Sequence, residues 1–87
     1  MSRSVFTSEY AVFRELLREI RINGGQTQVQ LSEALGMSQS FVSKYEMGER
    51  RLDLIEVRSV CHALGTTLAE VVEVLESRLA PENGGKV

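Results

Sequence analysis

The sequence contains few residues of the kinds that build disulfides, metal centres or membrane spans. Its 87 residues include one cysteine, one histidine, one proline and no tryptophan. Cys61 alone cannot close a disulfide within the chain, and Cys61 next to His62 is not a cluster that would hold a metal. No apolar run approaches the roughly 18–20 residues of a membrane span, and residues 1–7 lack the apolar region of a secretory signal. We therefore expect a cytoplasmic protein with no metal, no cofactor and no membrane association.

The length and the charge balance limit the number of domains and the kind of partner. A chain of 87 residues has room for one small domain, and the modest core of such a domain favours oligomerisation. The net charge is −2, but residues 1–51 carry seven basic and six acidic residues, whereas residues 52–87 carry three and six. Binding to nucleic acid would therefore depend on where individual side chains point, and not on bulk charge.

The spacing of apolar and capping residues predicts an all-α domain of five helices. The first helix should run from about residue 8 to residue 23 and end at the glycine pair that follows. The other four starts are marked by good N-cap residues, which are Thr27, Ser38, Asp53 and Thr67. Three of these caps have Gln or Glu three positions later, as in a capping box: Thr27, Asp53 and Thr67.

These helices divide the chain into a folded domain and two tails. Residues 8–80 form the predicted domain, residues 1–7 an N-terminal tail and residues 81–87 a flexible C-terminal tail. On the fourth helix the apolar residues predicted to face inward are Leu54, Val57, Val60, Cys61 and Leu64. On the first helix, Arg14 and Arg18 are predicted to be surface charges that pair locally with neighbouring glutamates.

Residues 27–46 have the pattern of two short helices joined at a sharp corner. The residues that would lock the helices together are Leu31, Leu35, Gly36, Met37, Val42 and Tyr45. Glycine permits the tight turn, and Met37 is expected to fill the corner. One face of the third helix then stays outside, and an α-helix displayed in this way fits the major groove of DNA.

The same pattern resembles the Cro and phage-repressor class of helix-turn-helix proteins, also called XRE-like. The resemblance covers residues 13–75. Its strongest stretches are Gln26-Thr27-Gln28, Leu35-Gly36-Met37-Ser38 and Val42-Ser43-Lys44-Tyr45-Glu46-Met47-Gly48. It implies a compact five-helix, lambda-repressor-like domain that binds double-stranded DNA, with the helix-turn-helix at about residues 27–46.

The resemblance also implies roles for individual residues. The base-reading residues would be Gln39, Ser40, Ser43 and Lys44, on the exposed face of the third helix. The phosphate-binding residues would be Gln28, which should also brace Gln39, together with Arg50 and Arg51. Arg21 and Glu46 match positions that form a structural ion pair in relatives.

The fifth helix has more apolar residues than a five-helix core needs. Val74, Leu75 and Leu79 fit either an extended core or a dimer face, and we expect a homodimer that pairs through them and the end of the fourth helix. A single helix-turn-helix reads only a few base pairs, and relatives pair to read two half-sites about one turn of DNA apart.

Two functions remain open on the residues alone. The first is a homodimeric transcriptional repressor that reads a pseudo-palindromic operator and acts by steric occlusion or by contact with polymerase. The second is an antitoxin or another protein-interaction module on the same fold, with a partner such as a toxin and with DNA binding secondary. The acidic net charge suits the second function, although the segment after Ser77 is short for wrapping a toxin. An enzyme is not indicated, because the sequence offers no nucleophile with a base and no paired acids.

Overall fold

The backbone of residues 2–80 forms five α-helices. The computed structural model describes this part of the chain, with side chains described for residues 8–80. The helices are α1 Ser2–Asn23, α2 Gln28–Leu35, α3 Gln39–Met47, α4 Leu54–Ala63 and α5 Leu68–Leu79. The predicted all-α, five-helix architecture is confirmed. Among these described helices, none is both long and apolar enough to cross a membrane.

The first helix is longer than its apolar stripe. It begins at Ser2, six residues before the start at about residue 8 that the apolar spacing predicts. These residues include no glycine or proline, and nothing in them interrupts the backbone hydrogen bonds of a helix. The predicted C-terminal tail, residues 81–87, lies outside the described residues.

Local side chains set the starts of the later helices. Complete capping boxes form at Thr27 with Gln30 and at Asp53 with Glu56. The box predicted at Thr67 is only half formed. The Thr67 hydroxyl accepts from the amide of Glu70 at 3.1 Å, but the Glu70 carboxylate accepts from the hydroxyl of Thr66 at 2.7 Å. A neighbouring hydroxyl has therefore taken the place of the backbone amide as the partner of Glu70.

All five helices contribute to one core. The buried apolar residues are Leu16, Leu17, Leu31, Phe41, Val42, Tyr45, Val57, Val60, Cys61 and Val71. Phe41 and Tyr45 of α3 pack edge to face, with ring centroids 5.7 Å apart. Because α3 buries this side in the core, its opposite side is left for contacts outside the domain.

Two residues predicted to be internal are instead exposed. Leu54, the first residue of α4, is 65% exposed, because α4 enters the core only from Val57 onward. Met37 is 47% exposed and does not fill the corner between α2 and α3. Gly36 makes that corner with a left-handed backbone, φ 70° and ψ 28°, which glycine adopts without strain.

Candidate nucleic-acid interface

One face of α3 is polar and open to solvent. Ser38 caps the helix by accepting from the amide of Phe41 at 3.4 Å. The four predicted base-reading residues occupy this face: Gln39, Ser40 and Lys44 are exposed, and Ser43 is half-buried. The hydroxyls of Ser38 and Ser40 lie 3.1 Å apart. The face therefore presents an amide, two hydroxyls and an ammonium, groups that can hydrogen-bond to base edges.

Gln28 connects this face to the interior. Its Oε1 accepts from Nε2 of Gln39 at 3.2 Å, and its own Nε2 donates to Oε1 of Glu46 at 3.0 Å. Gln39 is exposed but is held in one orientation by these contacts. Such preorganisation lowers the entropy lost when a side chain binds.

The ion pair expected from the resemblance is present and buried. Arg21 donates to Glu46 from Nε at 2.7 Å and from Nη2 at 2.9 Å. The two side chains are 9% and 3% exposed. Arg21 also donates to the backbone oxygen of Gln26 at 2.9 Å. The hydrogen bond to Glu46 raises the pKa of the Arg21 guanidinium above its usual value, in spite of burial. The pair fixes α3 against α1.

Arg14 is a second link from α1 to α3, which the charge pattern of α1 does not predict. It was predicted to be a surface charge paired locally, but its Nη1 donates to the backbone oxygen of Glu46 at 3.1 Å. A Cβ added at Gly48 would lie 2.9 Å from Nε of Arg14. Arg14 and Arg21 are about two helical turns apart on one face of α1, and that spacing could have revealed the shared role. Arg18 does pair locally, with Glu15 at 3.6 Å.

The two predicted phosphate-binding arginines after α3 have different surroundings. Arg50 forms a two-point ion pair with Glu56, at 3.0 and 2.9 Å. Arg51 instead lies over the ring of Tyr10, with its Cζ 4.3 Å from the ring centroid. Tyr10 also receives a hydrogen bond from the amide of Leu52 at 3.1 Å, which fixes the ring under Arg51. Neither Glu56 nor Tyr10 was assigned such a partner from the sequence.

An apolar groove lies between α5, the middle of α1 and the start of α4. It encloses about 630 Å³, and its apolar lining is Tyr10, Phe13, Leu52, Leu54, Val57, Leu68, Val72, Leu75 and Leu79. Two of the predicted dimer residues, Leu75 and Leu79, are thus half-buried in its wall. The third, Val74, is 41% exposed and is not part of that lining. In the described part of the chain, no group of three or more His, Cys, Asp or Glu residues could hold a metal ion.

Comparisons with known proteins agree with this geometry. The sequence model of the helix-turn-helix family matches residues 17–71, which include all of α2, α3 and α4. No curated protein sequence matches the chain significantly.

Solved structures extend the likeness to almost the whole chain. An XRE-family-like protein from Pseudomonas syringae pv. tomato is 38% identical with a TM-score of 0.85, and the match covers 90% of this chain and 95% of that one. The clp gene regulator ClgR from Corynebacterium glutamicum is 30% identical with a TM-score of 0.73, over 85% and 96% of the two chains. A mutant of the restriction-modification controller protein C.Esp1396I shares the fold, with 19% identity, a TM-score of 0.77 and coverage of 85% and 94%.

Proposed function

Because the chain belongs to the XRE-type helix-turn-helix family, we propose that it binds double-stranded DNA sequence-specifically and represses transcription as a homodimer. The observation that carries the proposal is the exposed polar face of α3, on which Gln39 is held by Gln28. A fixed helix with an outward polar face is the element that enters the major groove in this class of protein.

The exposed face of α3 would read the base sequence. The amide of Gln39 can donate to and accept from adenine at the same time, and Lys44 can donate to guanine. Ser40 and Ser43 have short side chains and would contact bases directly or through water. Gln39 would contribute most to discrimination, because its contact is paired and its side chain is already ordered.

Phosphate contacts would position α3 in the groove. Gln28 lies at the start of α2, next to Gln39, and Arg50 and Arg51 follow α3. Gln28 therefore lies beside the start of α3 and the two arginines follow its end, and we propose that they contact the phosphates at the borders of the groove. Such contacts supply affinity through counterion release and carry no base information themselves.

Dimerisation would double the length of DNA that is read. Val74, Leu75 and Leu79 of α5 are our candidates for the interface, and exposed apolar residues at Leu54 and Val72 extend the same surface across the groove. A two-fold dimer that buries these residues would present two α3 helices to two half-sites of a pseudo-palindromic operator. Occupancy of such an operator blocks polymerase sterically, which is the repression we propose; no catalytic step is involved.

Selection from a random pool of double-stranded DNA tests this function. The protein is incubated with the pool at about physiological salt, and the bound sequences are recovered over several rounds. We expect a two-fold-symmetric motif. His62→Ala, an exposed change on α4, should recover the same motif as the wild type, whereas Gln39→Ala should recover a degraded one. Recovery of no motif by a folded wild-type protein would contradict the proposal.

A further inference from the structure

Arg50 lies where the proposed function places a free positive charge, yet its side chain is already occupied. Nη1 and Nη2 donate to the two carboxylate oxygens of Glu56, and Nη1 also donates to the backbone oxygen of Arg51 at 3.2 Å. The ring of Phe41 lies 4.8 Å from Cζ and covers one face of the guanidinium. Of the five donor hydrogens of an arginine, three are therefore engaged within the protein.

Glu56 is itself held in place. It is the third residue of α4, and its Oε1 accepts from the amide of Asp53 at 2.9 Å as part of the capping box. The hydrogen bond from Arg50 lowers the pKa of the Glu56 carboxyl, and so does the backbone hydrogen bond from Asp53. The carboxylate is therefore ionised at neutral pH, and it cannot turn away from Arg50 without weakening the start of α4.

A carboxylate and a phosphate bind arginine in the same way, through two parallel hydrogen bonds to the guanidinium. We propose that Glu56 is an internal competitor of DNA phosphate for Arg50, and that it limits the affinity of this protein for DNA of any sequence. This inference rests on the proposed DNA-binding function. It assigns an affinity-setting role to a residue that does not itself contact DNA.

Arg51 provides the contrast within the same loop. Its guanidinium lies on the ring of Tyr10 and forms no ion pair among the described residues. Stacking on an aromatic ring leaves the edge of a guanidinium and its charge available to an anion. The two adjacent arginines therefore differ: Arg51 can bind phosphate directly, whereas Arg50 must first give up the carboxylate of Glu56.

Glu56→Gln tests the inference. Glutamine still serves at this position of a capping box, but it removes the charge that holds Arg50. Binding to a short duplex of arbitrary sequence is followed by fluorescence anisotropy between about 50 and 200 mM salt, and the salt slope should steepen by about one phosphate per protomer. We expect the variant to bind roughly two- to tenfold more tightly at the lowest salt, since exposed charge pairs have modest effects.

Glu19→Gln is the matched control. It removes one negative charge and breaks an exposed ion pair, with Arg78 at 2.9 Å, that joins α1 to α5. If overall charge alone raised the affinity, Glu19→Gln would raise it equally, and that outcome would overturn the inference. Thermal unfolding of both variants checks that each is folded.

Arg50→Ala in both backgrounds completes the test. In the wild type, where Glu56 competes with phosphate for Arg50, the substitution should cost less affinity than in the Glu56→Gln protein, in which it should cancel the whole gain in affinity and in salt slope. Equal losses of affinity in the two backgrounds would overturn the inference about Glu56 but not the proposed DNA-binding function. A folded Glu56→Gln variant that binds no more tightly than the wild type would do the same. If neither the wild type nor Glu56→Gln bound the duplex at low salt, the proposed function would fail with it.

Discussion

Arg21 of α1 and Glu46 of α3 meet in a two-point ion pair, Nε to Oε2 at 2.7 Å and Nη2 to Oε1 at 2.9 Å, with both side chains almost fully buried. The same carboxylate accepts from Gln28, which in turn accepts from Gln39. The exposed start of α3 is therefore connected to α1 through a continuous series of hydrogen bonds. The orientation of the face proposed to read DNA depends on this series.

Removing the carboxylate should cost much of the stability of the domain. We expect Glu46→Ala to lower the free energy of unfolding by about 3–5 kcal/mol, because the charge of Arg21 would stay buried without an opposite charge beside it. Urea unfolding followed by circular dichroism measures the change. Glu19→Ala removes a carboxylate from an exposed ion pair and should have a small effect, so similar losses in the two variants would contradict this view of the buried pair.

The hydroxyl of Tyr45 is a buried polar group that destabilises the core. The side chain is fully buried, and its hydroxyl has no hydrogen-bond partner among the described residues. We expect Tyr45→Phe to raise the free energy of unfolding by roughly 1 kcal/mol, because a buried unsatisfied polar group is removed and the ring is kept. A lower stability of Tyr45→Phe in urea unfolding would show that the hydroxyl has a partner in solution.

The burial of Tyr45 also leads us to expect a loss of stability at alkaline pH. Burial raises the pKa of the Tyr45 phenol in the folded protein. Above the ordinary tyrosine pKa of about 10, the unfolded chain releases this proton while the folded chain keeps it, so stability falls as pH rises by up to roughly 1.4 kcal/mol per pH unit. Tyr45→Phe should lose less stability than the wild type between neutral and alkaline pH, and parallel curves would contradict the prediction.

Gly48 combines a backbone requirement with a side-chain contact. Its φ is 84°, and an added Cβ would meet Nε of Arg14 at 2.9 Å, whereas a Cβ at Gly36, with φ 70°, would meet nothing within 4 Å. Both alanine substitutions should lower the free energy of unfolding by about 1–2 kcal/mol, because alanine is strained in a left-handed backbone conformation. Gly48→Ala should lose more than Gly36→Ala, because it displaces Arg14 from the backbone oxygen of Glu46. In an Arg14→Ala background, Gly48→Ala and Gly36→Ala should lose similar stability. If Gly48→Ala still lost more, the contact with Arg14 would not be the cause of the difference.

Gln39 should control discrimination between DNA sequences. Gln39→Ala is expected to lose affinity for the selected operator by about 1–3 kcal/mol, the usual contribution of one paired base contact. Its affinity for DNA of arbitrary sequence should stay close to that of the wild type. The ratio of the two dissociation constants, measured at one salt concentration, reports the change, and an unaltered ratio would mean that another face reads the bases.

Arg51 should control affinity without affecting sequence preference. Arg51→Ala is expected to weaken binding to the operator and to arbitrary DNA by similar factors. The slope of log affinity against log salt should fall by about one phosphate per protomer. Anisotropy titrations over a range of salt measure both quantities. A variant with normal salt dependence would show that the charge of Arg51 does not meet a phosphate.

The sequence alone was enough to predict the five helices and the exposed face of α3. Periodicity and caps depend on residues within about four positions of one another, and the caps at Thr27, Ser38 and Asp53 lie where they were predicted. The paired positions Arg21 and Glu46 followed from the family resemblance. The local pattern differed from the structure at two places. Glu70 accepts from the hydroxyl of Thr66 and not from the amide of Thr67, and α1 begins at Ser2 and not near residue 8.

Only the tertiary structure decided which charges are engaged and which apolar residues are covered. Arg14 finds its partner on Glu46, 32 positions away, and the ring under Arg51 comes from Tyr10 of α1. Leu54 fits the apolar stripe of α4 but is exposed, since the described helices leave a groove beside it. Such contacts depend on how the helices pack against each other, and the distance between two side chains in space cannot be read from their separation in the sequence.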